Sequence, residues 1–171
     1  MNVLFSADEI AARIDALAEE LAQDLPEHTL LAPILTGAFI FAADLARALA
    51  RRGVDLAVDF LHLASYGDAR TSSGNVRLVK DLKSDIRGRA ILLIDDVFDS
   101  GRSLEFAHGH LNARGAELVK FCVLVDKQTG RSKKVTPDYV GFLAEPDAYL
   151  IGYGMDDAGK FRSLPHIAVA G

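Results

Sequence analysis

Between Ala90 and Ile94 (AILLI) the chain carries no polar side chain, and two acidic residues follow at once. A run of leucine and β-branched residues without alternation has no solvent face, so it reads as a strand buried on both sides. Strands of that kind belong to parallel sheets whose two faces are covered by helices. Leu30 to Leu35 (LLAPIL) and Glu117 to Val125 (ELVKFCVLV) have the same character, and Tyr139 to Leu143 and Tyr149 to Ile151 are shorter candidates. Helical patterns lie between them. Ser6 and Glu9 form a capping box ahead of Ile10, Ile14, Leu17 and Leu21, which predicts a first helix to about Asp24. Phe39 to Arg52 and Ser103 to Arg114 are helical stretches closed by Gly53 and Gly115. The alternation predicts an α/β fold in one domain over residues 1–171: a mainly parallel twisted sheet flanked by helices, with a small C-terminal hood.

The remaining segments are weaker signals. Val54 to Leu63 is strand-like. Ala64 to Asn75 (ASYGDARTSSGN) is polar and long for a connection, as functional lids are. Val76 to Val79 is a short strand candidate, and Asp81 to Arg89 is turn-like. A formal charge of −5 argues against nucleic acid as the main partner. The single cysteine, Cys122, lies in an apolar run and cannot form an internal disulfide, which suits a reducing cytoplasm. No apolar stretch reaches bilayer-spanning length, and the first residues do not read as a signal peptide. Neither membrane nor nucleic acid is expected as a partner. The five histidines form no metal set; His108 and His110 split between faces of their helix.

The chemistry concentrates after Ile94, where Asp95 to Ser103 (DDVFDSGRS) connect the buried strand to a helix. Ligands of parallel sheets bind beyond the C-terminal strand ends. Ser100, Gly101, Arg102 and Ser103 bracket a helix N-terminus, whose free N–H groups and dipole favour a phosphate. Asp95 and Asp96 would repel a bare anion there, so they suit ribose hydroxyls or a magnesium ion. Asp99 stands between the two halves, placed to take a proton or to stabilise positive charge on a reacting sugar. Asp-x-Ser-Gly strings are also common as plain helix caps; the buried strand before this one and the helix after it favour function. No P-loop or dinucleotide fingerprint occurs.

The stretch ILLIDDVFDSGRS, Ile91 to Ser103, resembles the phosphoribosyl pyrophosphate (PRPP) signature of the type I phosphoribosyltransferases. LTGAFIFAADL at 35–45, ASYG at 64–67, LVDK at 124–127 and YLIGYGMDDAGKFRSLPHI at 149–167 narrow the likeness to the hypoxanthine and hypoxanthine-guanine phosphoribosyltransferases. The resemblance runs from about Leu30 to Ile167 and implies the following. The enzyme performs purine salvage, joining a 6-oxopurine to PRPP with Mg2+ and releasing pyrophosphate. Asp99 manages the proton on the purine N7. Thr36 and Gly37 present backbone N–H groups to pyrophosphate, with Thr36 where similar enzymes often carry a basic residue. Ser65 and Tyr66 begin a lid. Lys127 donates to the purine 6-oxo group, Tyr149 stacks on the base in place of the usual Phe, and Leu150 offers backbone groups to its edge. Asp156, with Asp95 and Asp96, holds magnesium, and Arg162 contacts pyrophosphate. A homo-oligomer, dimer or tetramer, is implied. Two alternatives stand beside this reading: a phosphoribosyltransferase for another base, and a nucleic-acid-binding regulator built on the same fold.

Overall fold

The computed structural model describes residues 1–66, 75–129 and 134–171. Its elements are β1 (Asn2–Phe5), α1 (Ala7–Asp24), β2 (Leu30–Leu35), α2 (Phe39–Arg51), β3 (Leu61–Tyr66), β4 (Asn75–Lys80), β5 (Ala90–Phe98), α3 (Arg102–Ala113), β6 (Leu118–Asp126), β7 (Tyr139–Leu143), β8 (Leu150–Ile151) and β9 (Ile167–Val169). The main sheet has the order β4-β3-β2-β5-β6-β7 and is parallel except for the antiparallel pair β3 and β4.

The lack of polar positions in β5 follows from its surroundings. Leu92 and Ile94 face the core under α1 and α2, together with Leu31, Cys122 and Leu124. Ile91 and Leu93 face the opposite core, where α3 packs Leu104, Ala107 and Leu111 on Phe121 and Val123. The two helix layers therefore cover the sheet on both sides, as its apolar runs require. At the start of α1 the capping box is formed: Glu9 accepts from the Ser6 N–H at 2.8 Å, and Ser6 Oγ accepts from the Glu9 N–H at 3.3 Å. Among the described residues no helix is long and apolar enough to cross a membrane.

Four sequence expectations are corrected. Val54 to Leu63 is not one strand: β3 begins at Leu61, and only an isolated bridge joins Val58 to Leu31 earlier. At the break the Asp59 carboxylate accepts from the N–H groups of Phe60, Lys83 and Ser84, so the Phe60 N–H is taken by a side chain instead of a neighbouring strand. Ser65 and Tyr66 are not loop residues; they end β3, opposite Val76 and Asn75 of β4. The polar loop of the sequence reading thus starts later, and its residues 67–74 lie outside the described ones. β5 does not stop at Ile94. β6 continues alongside it to the pair Phe98 and Asp126, so Asp95 and Asp96 are strand residues. Finally, the hood is not wholly C-terminal. It is an antiparallel sheet of order β1-β9-β8, with Asn2 opposite Val169.

Candidate active site

The helix N-terminus expected to hold a phosphate is in place. Gly101 is the N-cap of α3 and adopts the left-handed φ of 79°, a conformation that favours glycine. Being glycine, the N-cap offers no side chain to the first-turn N–H groups. Ser100 Oγ accepts from the Arg102 N–H at 3.4 Å, and the helical ladder starts with the Glu105 N–H to the Gly101 carbonyl at 2.9 Å. The first-turn N–H groups have no helical acceptor of their own, so at the tip of β5 they offer the kind of donor set an anion can use. Ser103 lies in that first turn. A cleft of about 660 Å³ between β4 and α3 shares the Arg102 wall with this loop.

The acid pair lies one step back along the strand. Side-chain alternation slips across it: Ile94 and Val97 both pack toward the core under α1 and α2, while Phe98 turns to the core under α3. Asp95 Oδ1 accepts from the Asp96 N–H at 3.0 Å, and Asp96 Oδ1 accepts from the Val97 N–H at 2.8 Å. Asp95 is only 8% exposed. Burial, and then the neighbouring Asp96 charge, push the Asp95 carboxyl well above the ordinary carboxylate range. Burial raises Asp96 as well, while the Arg162 guanidinium works in the opposite direction. A cation or hydroxyl donors beside such a pair favour its ionised form.

The turn after β2 and the hood close on this pair. The Leu35–Thr36 peptide is cis, and the Thr36 carbonyl accepts from the Phe39 N–H at 3.2 Å as α2 begins. A Cβ on Gly37 would overlap the Asp96 carboxylate. A Cβ on Gly154, whose φ is 103°, would overlap the Gly37 carbonyl. Arg162 ties this arrangement together, donating to the Gly154 carbonyl at 2.6 Å and forming an ion pair with Asp156 Oδ1 at 2.8 Å. Asp156 Oδ2 also accepts from the Gly159 N–H at 2.7 Å. Asp95, Asp96 and Asp156 do not converge into a ready-made metal cage. Among the described residues no group of three or more His, Cys, Asp or Glu could hold a metal. Magnesium is ordinarily held by one or two carboxylates plus substrate phosphates, so a buried acid pair and one further carboxylate fit it when a substrate supplies the other oxygens.

Asp99 and Lys127 are brought together by register. Phe98 pairs with Asp126, so the next residue of each strand leaves the sheet beside the other. Lys127 Nζ donates to Asp99 Oδ2 at 3.2 Å, and its backbone N–H donates to the Phe98 carbonyl at 3.1 Å. Thr129 Oγ1 donates to the Asp99 carbonyl at 2.8 Å and holds the loop in place. Tyr149 stands at the hood with 37% of its surface exposed, so it is not a core residue. Its hydroxyl donates to the Asp156 carbonyl at 3.4 Å. The Tyr149 carbonyl accepts from the Ala170 N–H at 2.9 Å, which makes Leu150 and Val169 a pair without mutual hydrogen bonds. Because β8 is an edge strand, the N–H and carbonyl of Leu150 then point away from β9. Lys127, Asp99, the acid pair and the α3 N-terminus all lie at the C-terminal edge of the sheet; Ser65 reaches the same edge on β3, two strands away from β5.

Three contributors escaped the sequence reading. Thr129 and Gly154 have no motif of their own, although the glycines of IGYG marked a turn. Tyr153, with a φ of 50°, donates through its hydroxyl to Asp44 of α2 and ties the hood to that helix.

Known proteins share the sequence pattern and the fold of this chain. Residues 4–158 match the family model of the phosphoribosyl transferase domain. The chain is 39% identical over 169 residues to the hypoxanthine-guanine phosphoribosyltransferase of Bacillus subtilis, covering 98% of this chain and 92% of that protein. It is 35% identical over 170 residues to the hypoxanthine phosphoribosyltransferase of Escherichia coli, covering 98% and 93%. It also matches the bifunctional protein TilS/HprT of Listeria monocytogenes at 39% identity, but spans only 26% of that relative's length. Among solved structures, hypoxanthine phosphoribosyl transferase from Trypanosoma cruzi superposes with a TM-score of 0.90 at 34% identity, over 100% of this chain and 91% of that one. A hypoxanthine-guanine phosphoribosyltransferase from Bacillus anthracis gives 0.90 at 34% identity, over 100% and 99%. With its sheet order, its acid-and-amide loop and these likenesses, the chain belongs to the phosphoribosyltransferase family, in the group of the hypoxanthine and hypoxanthine-guanine enzymes.

Proposed function

We propose that this chain transfers the 5-phosphoribosyl group of PRPP to a 6-oxopurine, hypoxanthine or guanine, as a purine salvage enzyme. The observation that carries this reading is the 3.2 Å pair of Lys127 and Asp99 beside the α3 N-terminus. It sets an ammonium donor and a carboxylate acceptor next to a site for a sugar phosphate.

In this reading the 5′-phosphate sits on the N–H groups of Ser100 to Ser103. Asp95 and Asp96 take the ribose hydroxyls. Lys127 donates to the purine 6-oxo group, and an ammonium, having no acceptor, disfavours the 6-amino group of adenine. Tyr149 stacks on the base, and the outward N–H and carbonyl of Leu150 meet its edge. The purine N9 lone pair attacks the anomeric carbon. The bond from that carbon to the pyrophosphate oxygen breaks, its electron pair leaving with pyrophosphate. Asp99 takes the proton from N7, so the product is a neutral base ring in a nucleoside 5′-monophosphate. The Thr36–Gly37 turn and Arg162 bind the departing pyrophosphate. Magnesium, held by Asp156 and the acid pair through substrate oxygens, would neutralise the charge that grows there.

The reading extends to the whole of residues 1–171 as one catalytic domain in the cytoplasm, with Ser65 and Tyr66 at the base of a lid that excludes water from the reacting sugar. A homo-oligomer, dimer or tetramer, is part of it. The deciding experiment is a steady-state assay with Mg-PRPP and hypoxanthine, guanine, xanthine or adenine. Nucleotide formation from hypoxanthine or guanine, without any nucleic acid present, is expected. Use of adenine alone, or no turnover with any base, overturns the reading.

A further inference from the structure

The direct pairing of Lys127 with Asp99 has a consequence for how the enzyme chooses its base. Lys127 is well buried, with 14% of its side chain exposed, and its ammonium donates to Asp99 Oδ2. Among the described residues, the other carboxylate oxygen, Oδ1, is buried without a hydrogen-bond partner. A buried acceptor left unpaired is costly, and it marks a position where a donor is missing. The proton acceptor of the reaction is thus tied at one oxygen and unpaired at the other among the described residues.

We propose that Lys127 masks Asp99 in the resting enzyme, and that the purine 6-oxo group releases it. This rests on the functional reading above and goes beyond it. On a 6-oxopurine carrying its proton on N7, the O6 acceptor and the N7–H donor are neighbours on one edge. That edge complements a donor and an acceptor 3.2 Å apart. As O6 takes the ammonium, Asp99 gives up its tie to Lys127 and turns to N7–H. A 6-amino group offers no acceptor in its place, so the ammonium stays on Asp99 and the base stays masked. Adenine is therefore rejected at the proton-transfer step as well as in binding. Lys127 acts as a positioning residue for Asp99 in addition to its contact with the purine.

Competition of this kind has a measurable sign. The Asp99→Asn variant no longer holds the ammonium as an ion-pair partner, so a ligand with a 6-oxo group gains what the pair had cost it. Binding is measured by calorimetry for two product nucleotides: inosine 5′-monophosphate, and purine riboside 5′-monophosphate, which keeps N7 but lacks the 6-oxo group. Asp99→Asn is expected to bind inosine 5′-monophosphate on the order of fivefold tighter than the parent. Its affinity for purine riboside 5′-monophosphate is expected to match the parent's, and in a Lys127→Met background the gain for inosine 5′-monophosphate should vanish. The comparison of the two ligands needs no change at Lys127, so it stands even if Lys127→Met does not fold. An equal gain for both ligands assigns the effect to repulsion between Asp99 and N7 and overturns the masking; so does no gain for inosine 5′-monophosphate. If the parent forms inosine 5′-monophosphate from hypoxanthine and PRPP yet shows either result, only this inference fails. A parent that neither forms nor binds it overturns the functional reading and this inference together.

Discussion

Gly37 lies so close to the Asp96 carboxylate that any side chain on Gly37 would occupy the carboxylate's position. Gly154 presses on the Gly37 carbonyl in the same way. The turn after β2, the tip of β5 and the hood therefore meet without room for a methyl group at either contact. In the proposed site this stacks the pyrophosphate turn directly on one of the two acids assigned to ribose.

Gly37→Ala is expected to displace either Asp96 or the turn. A misplacement of about 1 Å at reacting groups costs on the order of 100-fold in rate. The variant should lose about that much in kcat/KM for PRPP while melting near the parent temperature, because the contact sits at the rim of the core. Steady-state kinetics with a thermal melt on the same sample tests this. Parent-like kinetics would show that the position of Asp96 does not matter for catalysis.

Asp99→Asn keeps the shape of the loop, including the bond from Thr129 to the residue 99 carbonyl, and removes the proton acceptor. Turnover is expected to fall by about 100- to 10,000-fold. The KM for PRPP should change little, because the phosphate and ribose contacts lie on other residues. Equal loss in turnover and in PRPP affinity would assign Asp99 to binding.

What could be read in the sequence was what is local. The phosphate half of the loop, Ser100 to Ser103, is contiguous, and a buried strand before a helix is enough to place it. β2 and the Phe121–Val125 part of β6 were legible because burial on both faces leaves an unbroken apolar run, while β7, an edge strand, showed only as a short apolar stretch. β5 extends four residues past its apolar run, where Asp95 and Asp96 look like loop residues; only β6, pairing out to Asp126, keeps them in the sheet. β1 was missed since its residues are largely exposed and its partner β9 lies at the far end of the chain. The meeting of Gly37, Asp96, Gly154 and Arg162 draws on three separate segments and leaves no local trace. The pairing of Asp99 with Lys127 had a signal: each directly follows a strand of the adjacent parallel pair β5 and β6, and neighbouring strand ends place such residues side by side.

Arg162 spends two nitrogens on the hood itself, one on the Gly154 carbonyl and one on Asp156. A lysine has no fork with which to bridge both. Arg162→Lys should therefore loosen Gly154 from Gly37 as well as remove a guanidinium from the proposed pyrophosphate site. The KM for PRPP is expected to rise by roughly tenfold or more, in line with losing a charge-assisted contact. Asp156→Asn should show part of the same loss. An unchanged KM for PRPP in Arg162→Lys would remove the residue from the site and leave it a purely local role in the hood.

Tyr139 gives the fold a predictable alkaline limit. Its hydroxyl donates to Asp24 Oδ2 at 3.0 Å, joining β7 to the end of α1, and accepts from Lys120 Nζ at 3.4 Å. Burial, then the hydrogen bond to Asp24, raises the phenol from its ordinary value near 10 to about 12. The fold thus favours the protonated phenol. The stabilisation is fully present below the unfolded-state value of about 10 and is lost as pH rises through the folded-state value of about 12. Tyr139→Phe should cost about 1 kcal/mol at pH near 8, where the hydrogen bond is intact. It should then lose less stability than the parent on going to pH near 11, because it has no phenol to ionise. Urea unfolding of both proteins at the two pH values measures the difference. If both proteins lose the same stability over that interval, the alkaline limit belongs to another group.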